Sequence, residues 1–188
     1  PADANWQPAA HPLHNLQKSN NFGLGLPFAT HYRDAHPDVT VGLISCAVGG
    51  APISQMNKGS KVYDDAMIKI RRAAAQGTLK GVLWHQGESD TVSDELATGY
   101  EAKLHQLIRD IRQDTGIPTL PFVAGDLAEF YGTGKDHNSP ARVARIQQVR
   151  GALKSLPAKV PHTAFAPSTG AKSPDAHMVH MTRESYIL

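Results

Sequence analysis

An α/β architecture, a parallel sheet inside a three-layer αβα sandwich, follows from three features of this 188-residue sequence. Apolar runs short enough to be buried strands alternate with stretches of about 15 residues that repeat apolar side chains every three or four positions, the rhythm of βαβ units. The runs are continuous rather than alternating, as expected for strands covered on both faces. One of them, Gly81-Val82-Leu83-Trp84, stops abruptly at His85-Gln86-Gly87-Glu88-Ser89-Asp90. A polar cluster in that position suits the carboxyl end of a parallel strand, where open α/β sheets bind their ligands.

The elements follow in order. Residues 1–26, dominated by Pro, His, Asn and Gly, hold no period and read as loop, with a helix over 26–35. Residues 39–45, apolar and β-branched, follow the turn His36-Pro37-Asp38 and read as a buried strand ending at Gly49-Gly50. Ala66, Ile70, Ala73 and Ala74 set a helix over 62–76, stopped at Gly77, and a strand over 79–84 comes next. Leu96, Tyr100, Leu104, Leu107, Ile108 and Ile111 line a helix over 94–113, which Thr115-Gly116-Ile117-Pro118 terminates before a strand at 120–124. Pro140 suits the first turn of a further helix, with Val143, Ile146, Val149 and Leu153 on one face and Pro157 closing it. A short strand at 162–166 and a helix start near Arg183 complete the pattern.

Composition narrows the function. One domain over 1–188 fits the length, and 19 basic against 17 acidic residues give a net charge of +2 with no long single-sign run. That balance supplies no electrostatic reason for nucleic acid or an anionic membrane as partner. No stretch reaches the roughly 18 apolar residues of a membrane span. The lone Cys46 sits among apolar neighbours and reads as a buried, unreactive thiol. The opening Pro1-Ala2-Asp3 carries neither an initiator Met nor an apolar leader core, so the domain is expected to be incomplete at its amino-terminal side.

Three constellations could carry chemistry. Glu88 and Gln86 flank Gly87: a carboxylate can orient an imidazole, an amide can donate to a developing oxyanion, and Gly permits the tight turn between them. Gly49-Gly50 could bring a backbone N–H close to a ligand, provided the pair lies beside the Glu88 loop. Asp175-Ala176-His177-Met178-Val179-His180 offers two imidazoles and an acid, hence a general base. A zinc reading of those histidines is disfavoured, since cysteine ligands and a His-Glu-x-x-His helix are both lacking. Trp84, Tyr63 and Tyr131 could stack on a ligand, or simply pack as core or rim, the reading we favour.

Trp84-His85-Gln86-Gly87-Glu88-Ser89-Asp90, Ala47-Val48-Gly49-Gly50-Ala51-Pro52-Ile53 and Val179-His180-Met181-Thr182 together resemble the sialate O-acetylesterase-like family. That group includes the acetylxylan esterases of carbohydrate esterase family six, within the SGNH hydrolases. The resemblance runs in order from Trp6 to Leu188 and implies a flavodoxin-like sandwich that removes acetyl groups from sugar hydroxyls through a serine acyl-enzyme. No cofactor or metal is implied, the partner is an acetylated carbohydrate, and a polysaccharide substrate would favour a secreted or periplasmic setting. By position His180 is the base, Glu88 the orienting acid, and Gly50 (or Gly49) with the Gln86 amide the oxyanion donors.

Two departures accompany the resemblance. Members often carry Asp three residues before the catalytic His, where this chain has His177; the nearest acid, Asp175, lies five before, which favours Glu88 as the acid. The family's nucleophile sits in a Gly-Gln-Ser-Asn block after the first strand. Ser19, in Gln17-Lys18-Ser19-Asn20, echoes that block, but Pro12-Leu13-His14-Asn15-Leu16 before it is a poor strand. The first strand and its Ser are therefore expected to precede Pro1. Were they absent altogether, the alternative would be a non-catalytic carbohydrate-binding or structural domain on the same fold.

Overall fold

The computed structural model describes residues 6–11, 13 and 23–186. Ser19 lies outside the described residues. The chain is an α/β sandwich built on a parallel sheet, with strands β1 (Val82–Trp84), β2 (Phe122–Gly125) and β3 (Thr163–Ala166) in the order β1-β2-β3. Val82 pairs with Phe122 in register, and Phe122 with Thr163. Helix α1 (Gly25–Ala35) precedes α2 (Lys61–Ala74), and α3 (Asp94–Thr115) and α4 (Pro140–Lys159) are the crossovers between successive strands. Parallel neighbours require such crossovers, which is why helix and strand alternate in the sequence.

Local chemistry sets the helix ends. Ser60, Ser93 and Ser139 accept from the backbone N–H groups of Tyr63, Leu96 and Arg142, satisfying donors that the first turns of α2, α3 and α4 leave open. Gly116 ends α3 in the left-handed region at φ 69°, with Ile117 N donating to the Arg112 carbonyl. The Arg112 guanidinium then donates to the carbonyls of Leu120, Pro161 and His162, tying together the chain that enters β2 and β3.

The core lies between the sheet and α3 and α4. Tyr100, Leu104 and Ile108 meet Ile146, Val149, Leu153 and Leu156 over Phe122 and Ala124, all essentially without solvent contact. Tyr63 and Met67 of α2 extend this layer past Leu107 and Trp84.

Several expectations are corrected. Residues 39–45 form no strand among the described residues: they are exposed or half-buried, with no ladder to a described strand, and Gly42 packs under the Trp6 ring, where a Cβ would come to 2.8 Å. A strand needs a hydrogen-bonded neighbour, and composition alone does not supply one. On α2 it is Tyr63 and Met67 that are buried, not Ala74, because the larger side chains remove more apolar surface from water. Pro157 does not close α4, which runs on to Lys159. So near the end of the helix the ring forfeits a single bond, while buried Leu153 and Leu156 hold the last turn down. Around Arg183 there is only one 3-10 turn, Glu184–Tyr186. Cys46 is half-buried and burial pushes its thiol up, against the opposing charge of Lys69.

Leu104, fully enclosed, tests this core. Leu104→Ala is expected to cost about 2–5 kcal/mol in urea unfolding through the cavity it leaves. Val92→Ala, at a position 51 % exposed, should stay within about 0.5 kcal/mol.

Candidate active site

The site grows from the end of β1. Trp84 faces the helices, its ring 6.0 Å from Phe122 and its Nε1 donating to the Tyr100 hydroxyl at 3.3 Å. Tyr100 in turn donates to the Gln86 carbonyl at 2.9 Å. Gly87 then reverses the chain at φ 147°, and a Cβ there would lie 2.8 Å from Val149 Cγ1 and 3.2 Å from Leu127 Cδ2. Only glycine fits both the angle and the space. The 3-10 turn Glu88–Thr91 follows, presenting a half-buried Glu88 while Asp90 and Thr91 are completely enclosed.

This turn is bonded directly to the glycine pair, 39 residues away in sequence. Ser89 Oγ donates to the Gly50 carbonyl at 2.8 Å. Gln86 Nε2 donates both to the Ala51 carbonyl at 3.0 Å and to Asp90 Oδ2 at 2.6 Å. The same Oδ2 accepts from Ile53 N at 2.9 Å. Gly50 itself is exposed, at φ 72°, with no atom of the described residues within 4 Å of where a Cβ would stand. Its turn thus faces open space beside Glu88. Both amide hydrogens of Gln86 are already engaged, and its Oε1 is buried with no hydrogen-bond partner among the described residues.

The loop after β2 closes over the far side of the turn. Asp126, 6 % exposed, takes a two-point ion pair from Arg150, and buried Ser168 donates to the Leu127 carbonyl. Tyr131 is buried, its hydroxyl 3.3 Å from the Glu88 carbonyl and 3.2 Å from Thr91 Oγ1, with Arg142 donating to it at 2.9 Å. Arg145 Nε donates to the Thr91 carbonyl at 2.8 Å. Tyr63 and Tyr131 are thus buried, and Trp84 is half-buried against Phe122.

The carboxyl-terminal arm packs on this same core through Met181, Val179 and Tyr186. The Tyr186 ring stands edge-on to His85 at 5.9 Å, and burial first, then the Glu88 charge, push its phenol up to about 12. His180 is exposed between half-buried Val179 and buried Met181, and no hydrogen bond joins it to Glu88, Gln86 or Gly50 among the described residues. His177 Nδ1 lies 2.6 Å from Asp136 Oδ2, across from the 129–139 loop, and a Cβ on Gly134 would collide with the His177 carbonyl. Asp175 Oδ1 accepts from His177 N and Met178 N, which shapes its own turn rather than orienting an imidazole. The structure thus brings Gln86, Glu88, Gly49 and Gly50 together and sets His177 and His180 on a separate arm against the same core.

Sequence reasoning missed three participants: Asp90, Asp136 and Tyr186. Asp90 closes the quoted polar string, yet nothing in the string shows that its carboxyl is buried. Among the described residues no group of three or more His, Cys, Asp or Glu side chains is arranged to hold a metal ion. No helix there is long and apolar enough to cross a membrane.

Comparison with known proteins places the chain in a family and supports its fold. A family model described as carbohydrate esterase, sialic acid-specific acetylesterase matches residues 1–188. A probable carbohydrate esterase of Arabidopsis thaliana is 33 % identical over 138 residues, which are 70 % of this chain; the chain spans about half, 53 %, of that relative. The solved structure of an Arabidopsis thaliana protein superposes with a TM-score of 0.84 at 28 % identity, covering 97 % of this chain and 72 % of that one. A carbohydrate acetylesterase from Xanthomonas citri shares the fold, with a TM-score of 0.64 at 24 % identity over 82 % of this chain and 36 % of its own. Matched from end to end, the chain belongs to the carbohydrate esterase family of sialic acid-specific acetylesterases.

Proposed function

We propose that the protein removes acetyl groups from carbohydrate hydroxyls by a serine acyl-enzyme route. The observation that carries this reading is the bonded junction of the Gly50 turn with the Glu88 turn, which sets an exposed backbone turn beside a carboxylate at the end of a parallel strand. In the proposed cycle a serine hydroxyl attacks the acetyl carbonyl while His180 takes its proton. The carbonyl oxygen becomes an oxyanion beside the N–H of Gly50 or Gly49. One such donor contributes roughly 3 kcal/mol to lowering the barrier. Collapse breaks the bond to the sugar oxygen, which leaves with the proton held by His180. Water, deprotonated by the same imidazole, then releases acetate and restores the serine.

Glu88 is proposed as the carboxylate that orients and charge-stabilises His180, since Asp175 is spent on its own turn. His177 is the second imidazole, with Asp136 as its carboxylate. The 129–139 loop, joined to the arm by that pair, is proposed to shape which acetylated sugar enters.

Acetate release from acetylated xylan, acetylated sialic acid and an aryl acetate by the full-length protein tests this reading. Glu88→Gln and His180→Ala are each expected to lower the rate roughly 10²- to 10⁴-fold. His177→Ala should cost less than His180→Ala, and the reverse order would move the base to His177. Wild-type rates in both Glu88→Gln and His180→Ala would end the proposal, as would no release from any of the three substrates.

The loop contact carries its own pH signature. Its hydrogen bond to His177 holds the Asp136 carboxyl below its ordinary value of 3.8. The native state thus binds that proton less tightly than the unfolded chain. The stability contributed is therefore present above the ordinary carboxylate value and disappears as pH falls through the lowered one. Thermal melts taken from about pH 6 down to about pH 2.5 should show a steeper acid loss for the wild type than for Asp136→Asn. Parallel curves would show that the pair does not form in solution.

A further inference from the structure

We propose that Asp90 is the positioning residue of this site, a buried carboxyl that holds the exposed Gly49-Gly50 turn in working register with Glu88 through Gln86 and the backbone of Ile53. The inference rests on the reading of these turns as an esterase site. Its ground is the hydrogen-bond pattern of three groups that the enzymatic cycle leaves without a task.

Asp90 is 0 % exposed, yet it lies within the polar Glu88–Thr91 turn, bonded toward the glycine block. A carboxyl in that position costs free energy unless it bonds, and its two bonds both serve the junction. Oδ2 accepts from Gln86 Nε2 at 2.6 Å and from Ile53 N at 2.9 Å. The other oxygen, Oδ1, is buried with no hydrogen-bond partner among the described residues, as is Gln86 Oε1. Asp90 is therefore not placed to maximise its own bonding. Instead, one oxygen acts as the common acceptor for a group from each turn.

Gln86 completes the cross-link. With its two amide hydrogens on Asp90 and on the Ala51 carbonyl, it has no donor left for an oxyanion, so its effect on the reaction passes through the placement of Gly50. Ile53, fully enclosed and anchored in the core, fixes the other end of the segment. Gly50 thus has a bonded point at its own carbonyl from Ser89 and further ones at Ala51 and Ile53, while the space around it stays open. An exposed glycine turn with no packing of its own needs that external frame. Burial also pushes the Asp90 carboxyl above its ordinary value, against the downward pull of the Gln86 and Ile53 bonds, which fits a group kept in place for its bonds rather than for its charge.

The test uses the full-length protein with Asp90→Ala and Asp90→Asn, and 4-nitrophenyl acetate as probe. A donor displaced by about 1 Å loses roughly 100-fold in rate, so Asp90→Ala should lower kcat by about that factor with KM within about threefold of wild type. Asp90→Asn keeps an oxygen that can accept from Ile53 and should recover about tenfold or more of the loss. A raised KM with kcat intact, or Asn no better than Ala, overturns the proposal while Glu88→Gln still reports on the esterase reading. Amide hydrogen exchange at Ile53 decides the matter independently of turnover. Protection there should fall about 10-fold or more in Asp90→Ala while Leu104 and Ile108 keep theirs. Unchanged protection at Ile53 overturns the positioning role even in an active enzyme, and its loss supports the role even where no acetate is released.

Discussion

The site depends on one steric constraint: the backbone of Gly87 lies directly against Val149 and Leu127, with the Tyr100 hydroxyl 3.5 Å from where its Cβ would be. No side chain can be added there without pushing α4 away from the sheet. The direction in which Glu88, Ser89 and Asp90 leave β1 is thus decided by the packing of α3 against α4. Tyr100 reinforces this from below, donating to the carbonyl before the turn and accepting from Trp84 on the strand. Burial pushes the Tyr100 phenol far above its ordinary value, so it remains a protonated donor. From this fixed point the remaining order propagates outward: Ser89 and Asp90 hold the glycine turn, and Tyr131 and Arg145 hold the carbonyls of Glu88 and Thr91.

The fold was legible where local signals and core packing agree. Helices α3 and α4 kept their apolar period, with Gly116 ending α3 and Pro140 opening α4 as those residue types do, while the Ser93 and Ser139 caps are seen only in the structure. The three described strands were found, each shorter than its apolar run, because ladder pairing sets strand length and apolar composition does not. The same distinction accounts for residues 39–45. Their β-branched composition is real, but Leu43 packs beside α1 and Gly42 under Trp6, and no ladder is formed. Pro157 shows the converse. A strong local breaker yields when only one hydrogen bond is at stake and two enclosed leucines anchor the turn.

The site was legible as residue types and illegible as bonds. Gly87 announced a turn, and the condition placed on Gly49-Gly50, that they lie beside the Glu88 loop, is met by Ser89. Periodicity carries no information about which acceptor a side-chain amide will find. The same string that suggested Gln86 as an oxyanion donor therefore could not show that Ala51 and Asp90 take both its hydrogens. Asp136 was hidden for a related reason: its loop is rich in Gly, Lys, Asp and Asn, and that composition does not show which of them meets His177, 41 residues further on.

The two halves of the site are held by different physics. The Glu88 and Gly50 turns are joined by bonds that are mostly buried, where water competes poorly and each lost partner leaves an unsatisfied group. The arm with His177 and His180 is held at intervals instead: Thr182 N on the Lys172 carbonyl, Lys172 N on Ser185 Oγ, Met181 in the core, and the half-exposed His177–Asp136 pair. Exposed pairs of that kind contribute little, because water and salt screen them. An oxyanion donor must be in place before charge develops, because its effect comes from needing no rearrangement at that moment. A base that collects a proton from one oxygen and delivers it to another gains from access to both. Rigid placement of the glycine turn and looser staking of the imidazole arm are thus what the proposed chemistry asks of each half.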